Sequence, residues 1–251
     1  MTDIRIPGAT TSAAARATLR HVRAPEPIVF PEEEEVPEGL LHLITRTFLY
    51  RLLSHLLGPG HSVGSDQFVY WIATEPRRKL APDVFVRLGV PQTEFGSWKT
   101  WEQGGVPDLA VEIVSPNEGD GVMWEEKLAR YHELGVAELV RFEPEAEEGR
   151  RVRVWDRVRQ DLVERVIEGD RTPCLLLGLG WAVRAIPASS GNLVPVLRLI
   201  DEAGNLAHTP EEEQARARVA ADARADAEAK ARAAAEERVR QLEEELRRRG
   251  G

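Results

Sequence analysis

The chain has 251 residues, 42% of them hydrophobic, which is enough apolar material for one sizeable core with appendages. Its single cysteine, Cys174, excludes an intramolecular disulfide, no apolar run approaches the ~20 residues that cross a bilayer, and MTDIRIPGATTSAAARATLR lacks the apolar stretch of a secretory signal. The formal charge is −9, and residues 36–206 keep 25 acids against 19 bases, which opposes the broad basic footprint of most nucleic-acid binders.

These features point to a cytoplasmic protein without a membrane partner. Carboxylates gathered to hold a divalent ion would also be acidic before the ion binds, so the charge does not exclude a metal-dependent nucleic-acid enzyme.

Residues 1–39 include APEPIVFPEEEEVPEG, rich in proline and poor in apolar periodicity, and are expected to form a flexible arm with Glu32–Glu35 as a solvated acidic run. Leu40, Leu43, Ile44, Phe48, Leu52 and Leu56 then recur at helical spacing, and Gly58-Pro59-Gly60 ends the pattern. An amphipathic helix over 40–57 follows. Gln67 to Ile72 and Val84 to Leu88 are β-rich, with Arg77 to Lys79 as a turn, and the expectation is a hairpin between them. A loop carrying Trp98, Trp101, Gly104 and Gly105 leads to Asp108–Val114, apolar on both faces and therefore a central strand.

A helix from Met123 to Leu134, closed by Gly135, precedes a strand from Ala137 to Phe142. Two further strands, 151–156 and 162–167, read as a second hairpin. The order of helices and strands predicts an α/β domain over 40–207 with a mixed sheet flanked by helices. Beyond it, Thr209-Pro210-Glu211-Glu212 combines an N-cap residue, proline at the first helical position and an acid at the third. An alanine-rich helix of about 60 Å over 208–251 is expected. Val239, Leu242 and Leu246 have coiled-coil spacing, so homo-oligomerisation and a solvated single helix both stay open.

Three polar residues interrupt apolar patterns, and such interruptions are where chemistry tends to sit. Glu112 lies within VEIV on the central strand, where an ionised carboxylate needs a cation or donors. The bland alternative is an exposed face or an arginine partner. Lys127 falls among Met123, Trp124, Tyr131 and Leu134 on its helix face, the alternative being a lysine that snorkels to water. Asp83 follows Pro82 before VFVRL, which on its own is also a turn device. Asp108 competes with it. Asp108 and Glu112 share one strand face but are four residues apart, about 13 Å at ~3.3 Å per residue, whereas neighbouring strands are only ~4.8 Å apart. Asp83 is therefore preferred as the partner of Glu112, with Asp108 at strand entry or in a supporting position.

The segments LAPDVFVRLGVP, PDLAVEIVSPN and EKLARYHELGVAELVRFEP, in that order, resemble the bacterial Uma-type family of restriction-endonuclease-like proteins within the PD-(D/E)XK nuclease superfamily. LLLGLG, the segment Val196 to Asp201 with Gly204, and TPEEE extend the resemblance over about residues 40–249. It implies a restriction-endonuclease-like core and a metal-dependent endonuclease acting on DNA. By the same resemblance Asp83, Glu112 and Lys127 are catalytic, Asp83, Glu112 and the Ile113 carbonyl hold Mg²⁺ or Mn²⁺, and Asp108 and Tyr131 lie behind them. Relatives commonly place an aspartate about four residues before the helix lysine, where this chain has Met123 and the nearby Asp120 is displaced.

The rival from another class is a catalytically inactive nuclease-fold protein that works as a binding or assembly module through its C-terminal helix. Trp98, Lys99, Trp101 and Trp124 are candidates for base or sugar contact, with ordinary packing the simpler role. The six histidines show no metal-ligand spacing, and His42 and His55 read as helix-face residues. No P-loop, GxSxG elbow or dinucleotide fingerprint occurs.

Overall fold

The computed structural model describes residues 39–114, 122–188 and 191–250. The arm over 1–38, including Glu32–Glu35, and the segment 115–121 with Asp120 lie outside the described residues.

Helix α1 (Leu40–Leu57) runs into a 3-10 turn at Gly58–Gly60. Its core-facing side is not the one expected. Thr45, Leu49, Leu52 and Leu53 are buried, while Leu40, Leu43 and Leu56 are exposed. The helix is apolar on more than one side, so tertiary packing chose the face. Thr45 is tolerated inside because its hydroxyl donates to the Leu41 and His42 carbonyls at 2.9 and 3.0 Å.

Strands β1 (Ser62–Gly64), β2 (Val69–Tyr70), β3 (Lys79–Leu80), β4 (Val84–Arg87), β5 (Trp98–Lys99) and β6 (Leu109–Ile113) follow. After them come helix α2 (Val122–Leu134) and strands β7 (Glu138–Phe142), β8 (Val152–Val158) and β9 (Asp161–Glu164). The main sheet has the order β1-β4-β6-β7-β8-β9. Its β6–β7 pair is parallel, joined through α2, and its other pairs are antiparallel. The 67–72/84–88 hairpin does not form. β4 pairs instead with β1 and β6, and β2 joins β3 and β5 in a small separate sheet. The reason is a long-range fit: a Cβ on Gly64 would meet the Phe85 ring at 2.1 Å, so only glycine lets β1 lie against β4 there. Lys79, expected in a turn, enters β3, and Trp98, expected in a loop, opens β5 fully buried.

A third sheet holds β10 (Arg171–Cys174), β11 (Leu179–Pro187) and β12 (Leu193–Ile200). One core lies on the face of the main sheet that carries Val84, Val86, Val111, Ile113, Val140 and Phe142, against Leu49 and Leu53 of α1 and Trp181 and Leu199 of the third sheet. A second lies on the opposite face, where Phe85, Ala110, Leu139 and Trp155 meet Trp124, Tyr131 and Leu134 of α2 and Val69, Leu80 and Trp98 of the small sheet. The fold is α/β, with a mixed sheet covered on both faces.

Between the main and third sheets sits a polar crosslink. Glu138 accepts the Trp181 indole N–H at 2.8 Å and the Leu175 amide at 3.0 Å. Burial raises its pKa above the ordinary carboxylate value and also pushes up the neighbouring Cys174 thiol.

Helix α3 (Pro210–Arg249) starts at a capping box. The Glu212 amide donates to Thr209 Oγ1, and Glu212 Oε2 accepts the Thr209 amide at 2.9 Å. Ion pairs Arg51–Glu211 and Arg198–Glu212 and a 3.0 Å contact of His55 Nε2 with Glu213 tie its first turn to α1 and β12. None of its residues is buried. Among the described residues, no helix is long and apolar enough to cross a membrane.

Candidate active site

Strand β6 explains why Glu112 is where it is. All five of its residues are buried, Glu112 retaining 2% exposure, because α2 covers one face and α1 with the third sheet the other. The side chain projects toward α2, where two donors meet it. Lys127 Nζ donates to Oε2 at 2.6 Å, and the Tyr131 hydroxyl makes a short hydrogen bond to Oε1. Lys127 and Tyr131 are one helical turn apart, so both overhang the same point of β6.

Asp83 reaches the same place from β4. The register sets Val84 opposite Val111, which puts Asp83 across from Glu112. Asp83 Oδ2 accepts the Ile113 amide at 2.6 Å, Oδ1 lies 2.5 Å from His42 Nε2, and its backbone carbonyl accepts the Ser65 hydroxyl at 2.8 Å. Burial is the main force that raises the Glu112 carboxyl to about 7. The Lys127 ammonium opposes that rise, and the Asp83 carboxylate adds to it. Tyr131 is held well above its ordinary value by burial and by Glu112, so it stays a donor.

Asp83, Glu112, Lys127 and Tyr131 are thus brought together, and the Ile113 backbone adjoins them through its amide. Asp108 is not among them. It sits at the other end of the β4–β6 pairing, where Arg87 Nη1 donates to it at 2.9 Å and the Leu88 amide at 2.7 Å. Lys127 does not occupy the middle of its apolar stripe as expected. Met123 is 75% exposed, the buried residues among those described in α2 are Trp124, Tyr131 and Leu134, and Lys127 stands at their border with its side chain 39% exposed. Trp98 and Trp124 are buried and pack, whereas Trp101 is 42% exposed.

Two neighbours were not singled out as site residues in the sequence. His42, read as a helix-face residue, touches Asp83, and nothing in its local spacing reveals that contact. Arg141 is the β7 register partner of Glu112, is 1% exposed, pairs with Glu143 at 2.9 Å, and lies over the Trp124 ring at 4.6 Å. It interrupts the apolar strand ELVRF as Glu112 interrupts its own, so a polar-break search extended by one strand would have found it.

Among the described residues, no group of three His, Cys, Asp or Glu side chains is placed to hold a metal ion. The donor set is the carboxylate pair. Two hard oxygen ligands fit Mg²⁺, which binds through one or two carboxylates and keeps several waters. Each carboxylate oxygen has two acceptor positions, so the hydrogen bonds already made leave capacity for a cation.

The site thus combines two acids, Glu112 on the central strand and Asp83 just before its neighbour, with a lysine from the helix that covers them. The chain belongs to the Uma2 family, described as "Putative restriction endonuclease", whose model matches residues 32–186. That match begins before the described residues and stops before β12 and α3, so it is narrower at the C-terminal end than the resemblance over 40–249. A crystal structure described as a "putative nuclease belonging to DUF820" from Anabaena variabilis ATCC 29413 is similar at 14% identity and a TM-score of 0.38, over 53% of this chain and 70% of that one. Among curated proteins none matches.

Proposed function

We propose that this chain is a metal-dependent endonuclease that hydrolyses DNA phosphodiester bonds, with Asp83, Glu112 and Lys127 as its catalytic set. The observation that supports it most is the buried Glu112, held between Lys127 and Tyr131 with Asp83, one residue before β4, bonded to the next residue of its strand. Burying an ionised carboxylate costs several kcal/mol that an apolar residue would avoid, and unlike Glu138, which crosslinks two sheets, Glu112 has an acid and a half-exposed lysine beside it.

Asp83 and Glu112, with the Ile113 carbonyl, would hold Mg²⁺ or Mn²⁺, which when bound supplies polarisation of the scissile phosphate and a lower pKa for the attacking water. Tyr131 keeps Glu112 oriented by donating to one oxygen. Lys127, half-exposed at the border of the helix face, orients the water or offsets charge that develops on the phosphate oxygens. Glu112 must be ionised to act as a ligand, so cation binding competes with the proton that burial favours.

The test is cleavage of supercoiled and linear DNA with Mg²⁺ or Mn²⁺ by wild type, Glu112→Ala and Lys127→Ala. The reading predicts activity that chelation abolishes and that each substitution lowers by at least ~100-fold, a typical size for removing one general acid–base or charge-stabilising group. Equal cleavage by all three would overturn it. A second reading, an inactive nuclease-fold assembly module, has in its favour the 40-residue α3, which buries none of its length. Absence of any metal-dependent cleavage together with self-association through α3 would favour it.

A further inference from the structure

We propose that His42 is the positioning residue for Asp83 and thereby sets how tightly the carboxylate pair takes a divalent cation; the inference rests on the metal-dependent reading above. Asp83 precedes β4 and lies outside its ladder, so sheet pairing does not fix its side chain. Its carboxylate is held at both oxygens, by the Ile113 amide on Oδ2 at 2.6 Å and by His42 on Oδ1 at 2.5 Å. An ionised carboxylate only accepts, so His42 Nε2 is the donor. With one contact the group pivots about its Cβ–Cγ bond, and with two its plane is set.

The hold is built from more than one bond. Arg46, one helical turn after His42 on α1, pairs with Asp66 at 3.1 Å. The Asp66 amide donates to the Pro82 carbonyl at 3.0 Å, and the adjacent Ser65 hydroxyl donates to the Asp83 carbonyl. Two same-face residues of α1 therefore grip the Ser65–Asp66 turn and the Pro82–Asp83 turn together. Asp66 adopts φ 62°, a left-handed conformation uncommon for a residue with a side chain, as expected where surrounding contacts dictate the backbone. The helix that carries His42 is fixed in turn by Leu49, Leu52 and Leu53 in the core. His42 is assigned to the carboxylate and not to the cation, because its Nε2 is already engaged with Asp83 Oδ1.

The experiment is calorimetric Mn²⁺ titration of the full-length wild type, His42→Ala, His42→Gln and Asp83→Asn, with thermal unfolding in EDTA for each. His42→Ala is expected to weaken Mn²⁺ binding by about 10- to 100-fold, the usual cost of removing a residue that orients a metal ligand. His42→Gln, which restores an N–H donor, is expected to recover most of that loss, and cleavage by His42→Ala is expected to recover as Mn²⁺ is raised. Should the alanine variant not fold, His42→Phe fills the space without a donor and carries the same expectation. A folded donor-less variant that binds Mn²⁺ as wild type does overturns the assignment of His42. Asp83→Asn separates the two levels: if it too binds normally the metal reading fails, and if it alone loses binding only the role of His42 fails.

Discussion

Asp83 and Ile113 are joined across the β4–β6 pairing by a carboxylate-to-amide hydrogen bond of 2.6 Å, one residue beyond Glu112. This bond locks the acid of one strand to the backbone of the next at the level where the second acid emerges. Asp83→Ala removes both acceptor oxygens and leaves the Ile113 amide without a partner. Urea unfolding in EDTA should show a loss of about 1–3 kcal/mol, the cost of a buried donor without an acceptor. An unchanged midpoint would mean that the bond contributes nothing to the fold.

Glu112 gives a pH signature. Its carboxyl titrates near 7 when folded, against 4.5 ordinarily, so the folded protein binds a proton that the unfolded chain releases. The resulting stability is complete below about 4.5 and is lost as pH rises through about 7. Glu112→Gln carries no such proton, while every other carboxylate is common to both proteins. The stability of Glu112→Gln relative to wild type should therefore be greater at pH 8 than at pH 5, by an amount on the order of a few kcal/mol. A difference independent of pH across urea melts would contradict the buried, raised carboxyl.

What could be read from the sequence depended on whether local pattern decided the outcome. β6 was legible because apolar residues on both faces leave a strand no place except the centre, and the capping box of α3 because its contacts lie within four residues. The pairing of β4 was not legible: it turns on a three-residue strand whose glycine admits the Phe85 ring, a long-range fit with no local trace. β10 and β11 leave no clear strand pattern because Pro173 interrupts the first and Gly180 the second. At the site, Asp83, Glu112 and Lys127 stood out as polar breaks in apolar runs. His42 lay at an ordinary helix position, and only packing of α1 against the Pro82–Asp83 turn gives it a partner.

Glu138 marks the opposite face of the sheet and should behave differently from Glu112. Its carboxylate takes the Trp181 indole and the Leu175 amide, and Glu138→Ala would leave both donors buried without an acceptor. A destabilisation of roughly 3 kcal/mol is expected in chemical unfolding, with Mn²⁺ affinity unaltered once folded. Weakened Mn²⁺ binding in this variant would place the metal elsewhere.

Among the described residues, helix α3 is held near its start, by Arg51, His55 and Arg198 at its first turn and by His208 against Arg216. Along the rest, pairs such as Arg232–Glu236 and Arg249–Glu245 lie within the helix itself. Deleting residues 220–251 should leave the melting temperature of the remainder unchanged in differential scanning calorimetry. A clear drop, or one that depends on protein concentration, would instead reveal self-association through Val239, Leu242 and Leu246.

The most direct measurement is Mn²⁺ binding at pH 8, where Glu112 is ionised, compared between wild type and Glu112→Ala by calorimetry. Saturable binding by the wild type that disappears in the folded variant is the predicted result. Indistinguishable isotherms, or no binding by either protein, would contradict a divalent-ion centre at the Asp83–Glu112 pair.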